Sequence, residues 1–258
     1  MPDSGNSIRQ TLLVALSVSL VCSIIVATAA VLLEPRRIQN EQRAIRYDIL
    51  DVAGKLDSAA DIDEAFAAIE TRLVQLETGD YADGDPQQFD ARDAARDPEL
   101  GIAVPPDLDV AQIDRRARFG KVYLVRDGAT LERIVLPIHG YGLWSTMYGF
   151  VAVTPDAQRI LAIKFYEHAE TPGLGDQIDN PKWLASWTDT LIYDDSGAIA
   201  VEVIKGAVRP NDSRADYRID GLSGATLTGN GVSNTVRYWL GQHGYGPYLQ
   251  RLKSGNET

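Results

Sequence analysis

An uncharged apolar run near the N-terminus constrains what this chain can form more than any other feature. The run extends from Thr11 to Leu33 and is long enough to cross a bilayer as one helix. A core helix of a soluble protein is disfavoured because the run has no polar face, and it is too long for a simple signal peptide and lacks its cleavage site. We therefore expect a short tail over residues 1–10, a transmembrane helix over 11–33 and a soluble body over 34–258.

The rest of the composition excludes some partners and sites. The net charge of −11, with a pI near 4.7, argues against nucleic acid. Cys22 is the only cysteine, so no internal disulfide can form. It is either a small apolar filler of the span or a neighbour of a redox centre in another subunit. His139, His168 and His243 have no metal-ligand spacing, so we expect no metal.

Hydrophobic periodicity predicts helices at both ends of the body. Arg37 to Leu56 carries one apolar stripe, and Ile62 to Leu76 carries another behind Asp61, which resembles the start of a capping box. The stretch after Thr226 is apolar at Val232, Val236, Trp239 and Leu240, the spacing of an amphipathic helix. Between these ends, residues 79–109 are rich in Asp, Gly, Pro and Ala and predict a long solvated loop and a variable insertion.

From Lys121 to Val203 the period changes to that of strands. Three pairs of apolar segments are separated by short turns, which predicts three hairpins. The turns lie at Asp127-Gly128, at Thr154-Pro155-Asp156 and at residues 194–197. Strands joined by short turns pair antiparallel. The expected class is α+β, an antiparallel sheet flanked by helices and preceded by one N-terminal transmembrane helix.

A hydroxyl lies on a small-residue turn just before the last predicted long helix. The sequence is Asp220-Gly221-Leu222-Ser223-Gly224-Ala225-Thr226, followed by Leu227-Thr228. Free N–H groups and the positive end of the helix dipole would stabilise an anion near Thr226. Taken alone, the motif is more often just a helix cap and tight turn. No P-loop, dinucleotide or hydrolase-elbow pattern occurs, so the motif predicts a phosphate site and not yet a function.

This heptapeptide resembles the attachment sequence of proteins that carry FMN covalently through a phosphoester to threonine. Further blocks are similar to the C subunit (NqrC) of the Na+-translocating NADH:quinone reductase, and the similarity is continuous from about Val122 to Leu252. These blocks are residues 139–150, 170–175 and 180–183 with Trp187, and the tail over 236–249. The related G subunit of the Rnf complex shares the flavin motif, but the block Leu143-Trp144-Ser145 fits NqrC better.

The resemblance implies FMN esterified to Thr226 in an electron-relay subunit of a sodium-translocating NADH:quinone oxidoreductase complex. Thr228 is the hydroxyl to test if Thr226 proves unmodified, and Asp220 is expected to be recognised by the flavin transferase. Leu174 would lie over the ring as an apolar lid, although an ordinary turn or core packing is the alternative for the ring-contact segments. The expected cofactor contacts are Ser223, Gly224, Ala225, Leu227, Thr228, Gly140, Trp144, Ser145, Glu170, Thr171, Gly173 and Leu174.

The resemblance also implies partners and a location. Expected partners are the other membrane and flavin subunits, the flavin transferase during maturation, and the lipid bilayer. NADH and quinone would bind elsewhere in the complex, and the span has no charged residue to bind sodium. The resemblance places the body on the outer side of a bacterial inner membrane. Arg36 and Arg37, beyond the span, instead favour a cytoplasmic body, but long domains translocate largely regardless of charge.

Two other functions remain open at this point. An Rnf-type flavoprotein would use the same flavin chemistry with ferredoxin and NAD. A membrane-tethered binding or sensor module, in which Ser223 to Thr226 form only a turn, would be colourless when purified.

Overall fold

The computed structural model describes residues 4–254, with side chains from residue 8 onward. The chain divides between Ile45 and Arg46 into two compact units. Of the tail expected over residues 1–10, residues 1–3 lie outside the described part, and residues 4–10 are already helical.

A single long helix, α1 (Ser4–Val52), runs through the first unit and ends in the second. It contains the apolar run and is the one helix in residues 4–254 that is long and apolar enough to cross a membrane. The helix predicted over Arg37 to Leu56 is therefore the end of α1, although it stops at Val52. Pro35 lies inside the helix, where Arg37 forms exposed ion pairs with Glu34 and Glu41.

Within the described residues of the second unit, seven strands form one antiparallel sheet in the order β2-β1-β5-β6-β7-β8-β9. Two smaller pairs are β3 with β4, antiparallel, and β10 with β11, parallel. The strands are β1 (Glu70–Gln75), β2 (Tyr81–Ala82), β3 (Gly101–Ala103), β4 (Arg115–Ala117), β5 (Phe119–Asp127), β6 (Thr130–Tyr141), β7 (Thr146–Val153), β8 (Arg159–Glu167), β9 (Thr190–Leu191), β10 (Glu202–Val203) and β11 (Arg218–Ile219). The helices after α1 are α2 (Ile62–Ala67), α3 (Ala91–Arg96), α4 (Pro181–Ala185), α5 (Thr226–Leu240) and α6 (Gly246–Lys253).

The sheet has an apolar cluster on each face. On one face Leu136 and Val151 of the central strands pack in a cluster that includes Val236 of α5 and Leu249 of α6. On the other, the last turns of α1 contribute Ile49 and Leu50 to a cluster that contains Val135 and Phe150 of the sheet. The alternation of side chains along each strand is what supplies both faces. The expected α+β class, with helices flanking an antiparallel sheet, is confirmed.

The helix predicted from Ile62 to Leu76 is wrong in its second half. Asp61 does cap α2 by accepting from the backbone N–H groups of Asp63 and Glu64. After Ala67, however, the chain turns into β1, which pairs with β5 in a six-residue register. The strand buries Leu73 and Val74, so its pairing with β5 overrides an apolar spacing that also fits a helix.

Two further expectations need correction. Residues 79–109 are not a solvated loop, because they contain β2, α3 and β3, and Asp90 caps α3 through its side chain. The first two predicted hairpins form as β5–β6 and β7–β8. The third is reduced to a single antiparallel bridge between Tyr193 and Ile199, and β10 pairs with β11 instead.

Candidate functional site

The turn before α5 and the first residue of this helix present two exposed hydroxyl residues, Ser223 and Thr226. Gly224 adopts a left-handed φ of +73°, which glycine accepts without strain. Thr226 is the first residue of α5 and is exposed. No side chain caps this helix start in the described part of the chain, and the first N–H groups of a helix have no partner within it. The positive end of α5 therefore faces the same solvent as the Thr226 hydroxyl.

The remainder of α5 is anchored in the core. Val232, Val236, Trp239 and Leu240 are all buried, as their spacing predicts. Gly231 lets the helix cross β6 closely, because a Cβ there would lie 2.5 Å from the carbonyl oxygen of Tyr141. The helix start is consequently held on a rigid support.

A cleft of about 210 Å³ opens beside Thr226. Its second wall comes from the end of β10, which the parallel pairing with β11 brings next to the turn. The Gly221 N–H also donates to the Gly206 carbonyl at 2.6 Å. The lining residues are Val203, Ile204, Lys205, Gly206, Leu222, Ser223, Gly224, Thr226, Gly229 and Asn230. No motif in the sequence marks Lys205 or Asn230 as site residues. The wall that carries Lys205 is created by a long-range strand pairing, which has no local sequence signal.

Two atoms of Asp220 accept hydrogen bonds from other parts of the chain. Its side-chain Oδ1 accepts from the Val208 N–H at 2.7 Å, and its backbone carbonyl accepts from Trp183 Nε1 at 2.8 Å. The residue is nevertheless exposed. Trp183 and Trp187 pack edge-on in the core. Asp220 thus fixes the shape of the loop that precedes the turn before α5.

Thr228 points inward, although it lies only two residues from Thr226. It is fully buried, and its Oγ1 donates to Glu170 Oε2 at 2.5 Å. Glu170 is 5% exposed, and its other oxygen accepts from the backbone N–H groups of Leu143 at 2.9 Å and Trp144 at 3.0 Å. Both side chains are therefore buried, whereas the sequence predicts that each contacts the cofactor directly.

The Glu170 carboxylate is charged in this environment. Burial alone raises its pKa, but the hydrogen bonds from Thr228 and from the Trp144 and Leu143 backbone outweigh burial, and the pKa lies below its usual value. A Cβ on Gly142 would collide with Glu170 Oε1, and one on Gly175 would lie 2.8 Å from Thr228 Oγ1. Both glycines are needed so that the backbone can enclose this group.

The bend between β6 and β7 exposes Trp144. The indole is 63% exposed, and its Nε1 donates to Thr171 Oγ1 at 2.9 Å. Ser145 Oγ accepts from the Ala169 N–H at 2.7 Å, which joins the bend to the loop after β8. Gly140 faces away from this surface, because a Cβ there would collide with Thr235 of α5. Its role is close packing against the helix.

The loop after β8 places an apolar side chain near the turn before α5. Leu174 is 43% exposed, and its Cδ2 lies 2.8 Å from where a Gly224 Cβ would be. Gly173 has a φ of +76° and lets the loop turn there. Leu227, next to Thr226, is 59% exposed. Exposed apolar side chains are therefore found next to Thr226 in the sequence and against Gly224 of the preceding turn.

The three histidines belong to other surroundings. The His139 ring stacks on Tyr148 and packs against Trp239, and burial lowers its pKa to about 4. His168 bonds Asp179 at 2.8 Å. Across the described residues, no group of His, Cys, Asp or Glu could hold a metal ion.

Comparison with known proteins gives matches over nearly the whole chain. The C subunit of the Na(+)-translocating NADH-quinone reductase from Yersinia pestis is 45% identical over 98% of this chain and 96% of its own length. The C subunit from Pseudomonas aeruginosa is 43% identical, over 97% and 98% respectively. This chain belongs to the NqrC family. Residues 142–241 also match the FMN-binding domain family.

Solved structures of NqrC proteins share this fold. The crystal structure of Shewanella oneidensis NqrC covers 83% of this chain and 99% of its own, with a TM-score of 0.76 at 35% identity. The C subunit from Parabacteroides distasonis gives a TM-score of 0.63 at 27% identity. The FMN-binding domain extends from Gly142 to Gly241, so it contains the bend with Trp144, the Leu174 loop and the whole of α5.

The residues present fit FMN. A phosphate needs a positive environment, and the uncapped start of α5 and Lys205 supply one. A planar ring needs apolar shielding. Leu174 is exposed close to Gly224, and the exposed Trp144 is joined to the same loop through Thr171. Asp220, the carboxylate nearest to Thr226 in sequence, and Glu170, the hydrogen-bond partner of Thr228, both accept hydrogen bonds from the protein itself.

Proposed function

We propose that this chain is an electron-relay subunit that carries FMN as a phosphoester on Thr226, within a membrane-bound, sodium-translocating NADH:quinone reductase. The observation that carries the proposal is the exposed Thr226 residue at the uncapped start of α5, beside a cleft, with exposed Leu227 next in sequence and exposed Leu174 close to Gly224. Membership of the NqrC family and the FMN-binding domain support the cofactor and the complex.

The protein would hold the phosphate at the start of α5. The ester would join the flavin phosphate to Thr226 Oγ1 with net loss of one water, and the first N–H groups of the helix would stabilise the charge that remains on the phosphate. Lys205 on the opposite wall of the cleft supplies a positive charge in an otherwise acidic chain. Ser223 and the backbone of Gly224 and Ala225 complete the turn around the ester.

Trp144 and Leu174 would shield the ring from solvent. When bound, the flavin supplies one- and two-electron transfer chemistry, and the protein supplies position and surroundings. Thr171 fixes the Trp144 indole through its hydrogen bond to Nε1. The covalent link would prevent loss of the cofactor from a site this exposed.

The other subunits would bind NADH and quinone. The relatives are named as subunits of an NADH-quinone reductase, and this chain shows no dinucleotide motif. The span over residues 11–33 has no charged side chain, so it would serve for packing on neighbouring membrane subunits rather than for sodium binding. The body would lie on the outer side of the inner membrane.

Fluorescence of a denaturing gel tests the covalent cofactor. The full chain, produced together with a flavin transferase, is expected to give a fluorescent band under ultraviolet light. Thr226→Ala should abolish the band completely, because the Thr228 hydroxyl is buried against Glu170 and cannot replace it. Thr188→Ala, which removes another exposed threonine hydroxyl, is the control and should retain the band. A dark wild-type band would favour the tethered binding module.

Substitutions of Asp220 distinguish two roles for this residue, recognition by the flavin transferase and support of the loop. If the transferase reads the charge, Asp220→Asn and Asp220→Ala should both lose the fluorescent band. If Asp220 only holds the Val208 N–H, the amide oxygen of Asn can replace it, and Asp220→Asn should be labelled normally. Normal labelling of Asp220→Ala would contradict both roles.

A further inference from the structure

We propose that Glu170 is a positioning residue of the flavin site, whose carboxylate fixes the bend carrying Trp144 to the first turn of α5 through Thr228. The inference rests on the proposed function, because it assumes that the flavin lies between these two segments. It concerns a residue that lies beneath the site and reaches the cofactor only through others.

The contacts of Glu170 join three separate parts of the chain. Oε2 accepts from Thr228 Oγ1 of α5 at 2.5 Å, and Oε1 accepts from the Leu143 and Trp144 N–H groups of the bend. Glu170 itself lies in the loop after β8, which also carries Leu174. Glu170 therefore connects α5, the bend with Trp144 and the loop with Leu174.

The charge of Glu170 matters for the strength of this joint. Hydrogen bonds to an ionised group are roughly twice as strong as those between neutral groups. The carboxylate is 5% exposed and the Thr228 hydroxyl is fully buried, so water cannot easily replace either partner. Loss of one such bond would raise the population of displaced arrangements by roughly tenfold. Trp144, whose own indole is mostly exposed, would then be free to move relative to Thr226.

Thr228→Val tests the joint with little change in side-chain shape. We use the full flavinylated chain and measure three properties of each variant: the quenching of flavin fluorescence by iodide, the hydrogen exchange of the Leu143 and Trp144 amides, and the visible flavin spectrum. In Thr228→Val, we expect these amides to exchange roughly tenfold faster, the quenching constant to rise and the visible flavin spectrum to shift. Thr228→Ser keeps the hydroxyl and should restore the wild-type values of all three.

Thr235→Val is the matched control. It makes the same substitution on the same helix, but the Thr235 hydroxyl is buried and donates only to the Gly231 carbonyl of α5. We expect some loss of thermal stability with unchanged flavin quenching and unchanged exchange at Trp144. Glu170→Gln, which removes the charge but keeps an oxygen acceptor, should resemble Thr228→Val in direction with smaller changes.

Three results would overturn the positioning role. These are wild-type flavin quenching in Thr228→Val, equal quenching changes in Thr228→Val and Thr235→Val, or failure of Thr228→Ser to restore the flavin properties. In each case the fluorescent gel band remains, so the proposed function stands while the role of Glu170 fails. A wild-type chain without covalent flavin would instead contradict the proposed function itself.

Discussion

Thr226 and Thr228 show how two equal side chains in one motif acquire opposite roles. Residues two apart on a helix point in widely different directions. Here that geometry leaves Thr226 exposed and buries Thr228 against Glu170. The sequence treats both as available hydroxyls, because the partner of Thr228 lies 58 positions away along the chain. Which of the two hydroxyls is accessible is thus a property of the fold.

His139 provides a prediction at this same scale. Its pKa falls from an ordinary 6.5 to about 4, mainly through burial and also through the positive charge of Arg92. Between these values the unfolded chain binds one more proton than the folded one, so stability is present above pH 6.5 and is lost as the pH falls towards 4.

His139→Phe should keep the ring packing against Tyr148 and Trp239 and remove this proton. Over that pH range, the slope of unfolding free energy against pH should decrease by up to about 1.4 kcal/mol per pH unit. Urea unfolding at several pH values measures it. An unchanged slope would mean that His139 is already protonated or exposed in the folded chain.

At the scale of elements, the sequence predicted those that local patterns specify. The hairpins β5–β6 and β7–β8 have short turns of recognisable type, and α5 has a clean apolar stripe. The pattern over residues 62–76 fits a helix, but β1 forms because β5 offers a strand to pair with. The parallel β10–β11 contact, which builds the cleft wall beside Thr226, has no local signal at all. The family motif likewise indicates the site residues near Thr226. By contrast, the position of Lys205 in the cleft and the inward direction of Thr228 follow only from the fold.

Gly231→Ala tests the close contact between α5 and β6. In an exposed helix this change would stabilise by about 1 kcal/mol. Here the new Cβ would lie 2.5 Å from the Tyr141 carbonyl oxygen and 3.0 Å from Gly142 Cα, so we expect destabilisation of about 1–3 kcal/mol. Chemical unfolding of the purified chain measures the difference. Asn234→Ala, at a partly exposed position of α5, should stay within about 0.5 kcal/mol of wild type. A stabilised Gly231→Ala would show that the helix lies farther from the strand.

At the scale of the whole molecule, one apolar helix and one mixed domain suit a cofactor carrier that must stay beside membrane partners. The span would supply attachment without ionisable groups, and Thr226, the proposed acceptor, is exposed. Trp144, Leu174 and Leu227 are exposed apolar side chains of the same FMN-binding domain. Under the proposed function, this surface would both shield the flavin and leave it close to a partner.

The side of the membrane on which the domain lies can be measured with single cysteines. In a Cys22→Ser background, Ala129→Cys in the exposed β5–β6 turn should react with an impermeant thiol reagent added to spheroplasts. Asp3→Cys, on the N-terminal side of the span, should react only after the membrane is broken. The reverse pattern would place the domain in the cytoplasm, as the arginines after the span favour.

Peptide mass mapping of the mature chain tests the central claim most directly. Trypsin cleaves after Arg218 and Arg237 and releases residues 219–237, which contain Ser223, Thr226 and Thr228 in one fragment. From cells that contain a flavin transferase, this peptide should carry the mass of riboflavin phosphate less one water, and fragmentation should place it on Thr226. An unmodified peptide, or a flavin on any other residue, would contradict the account.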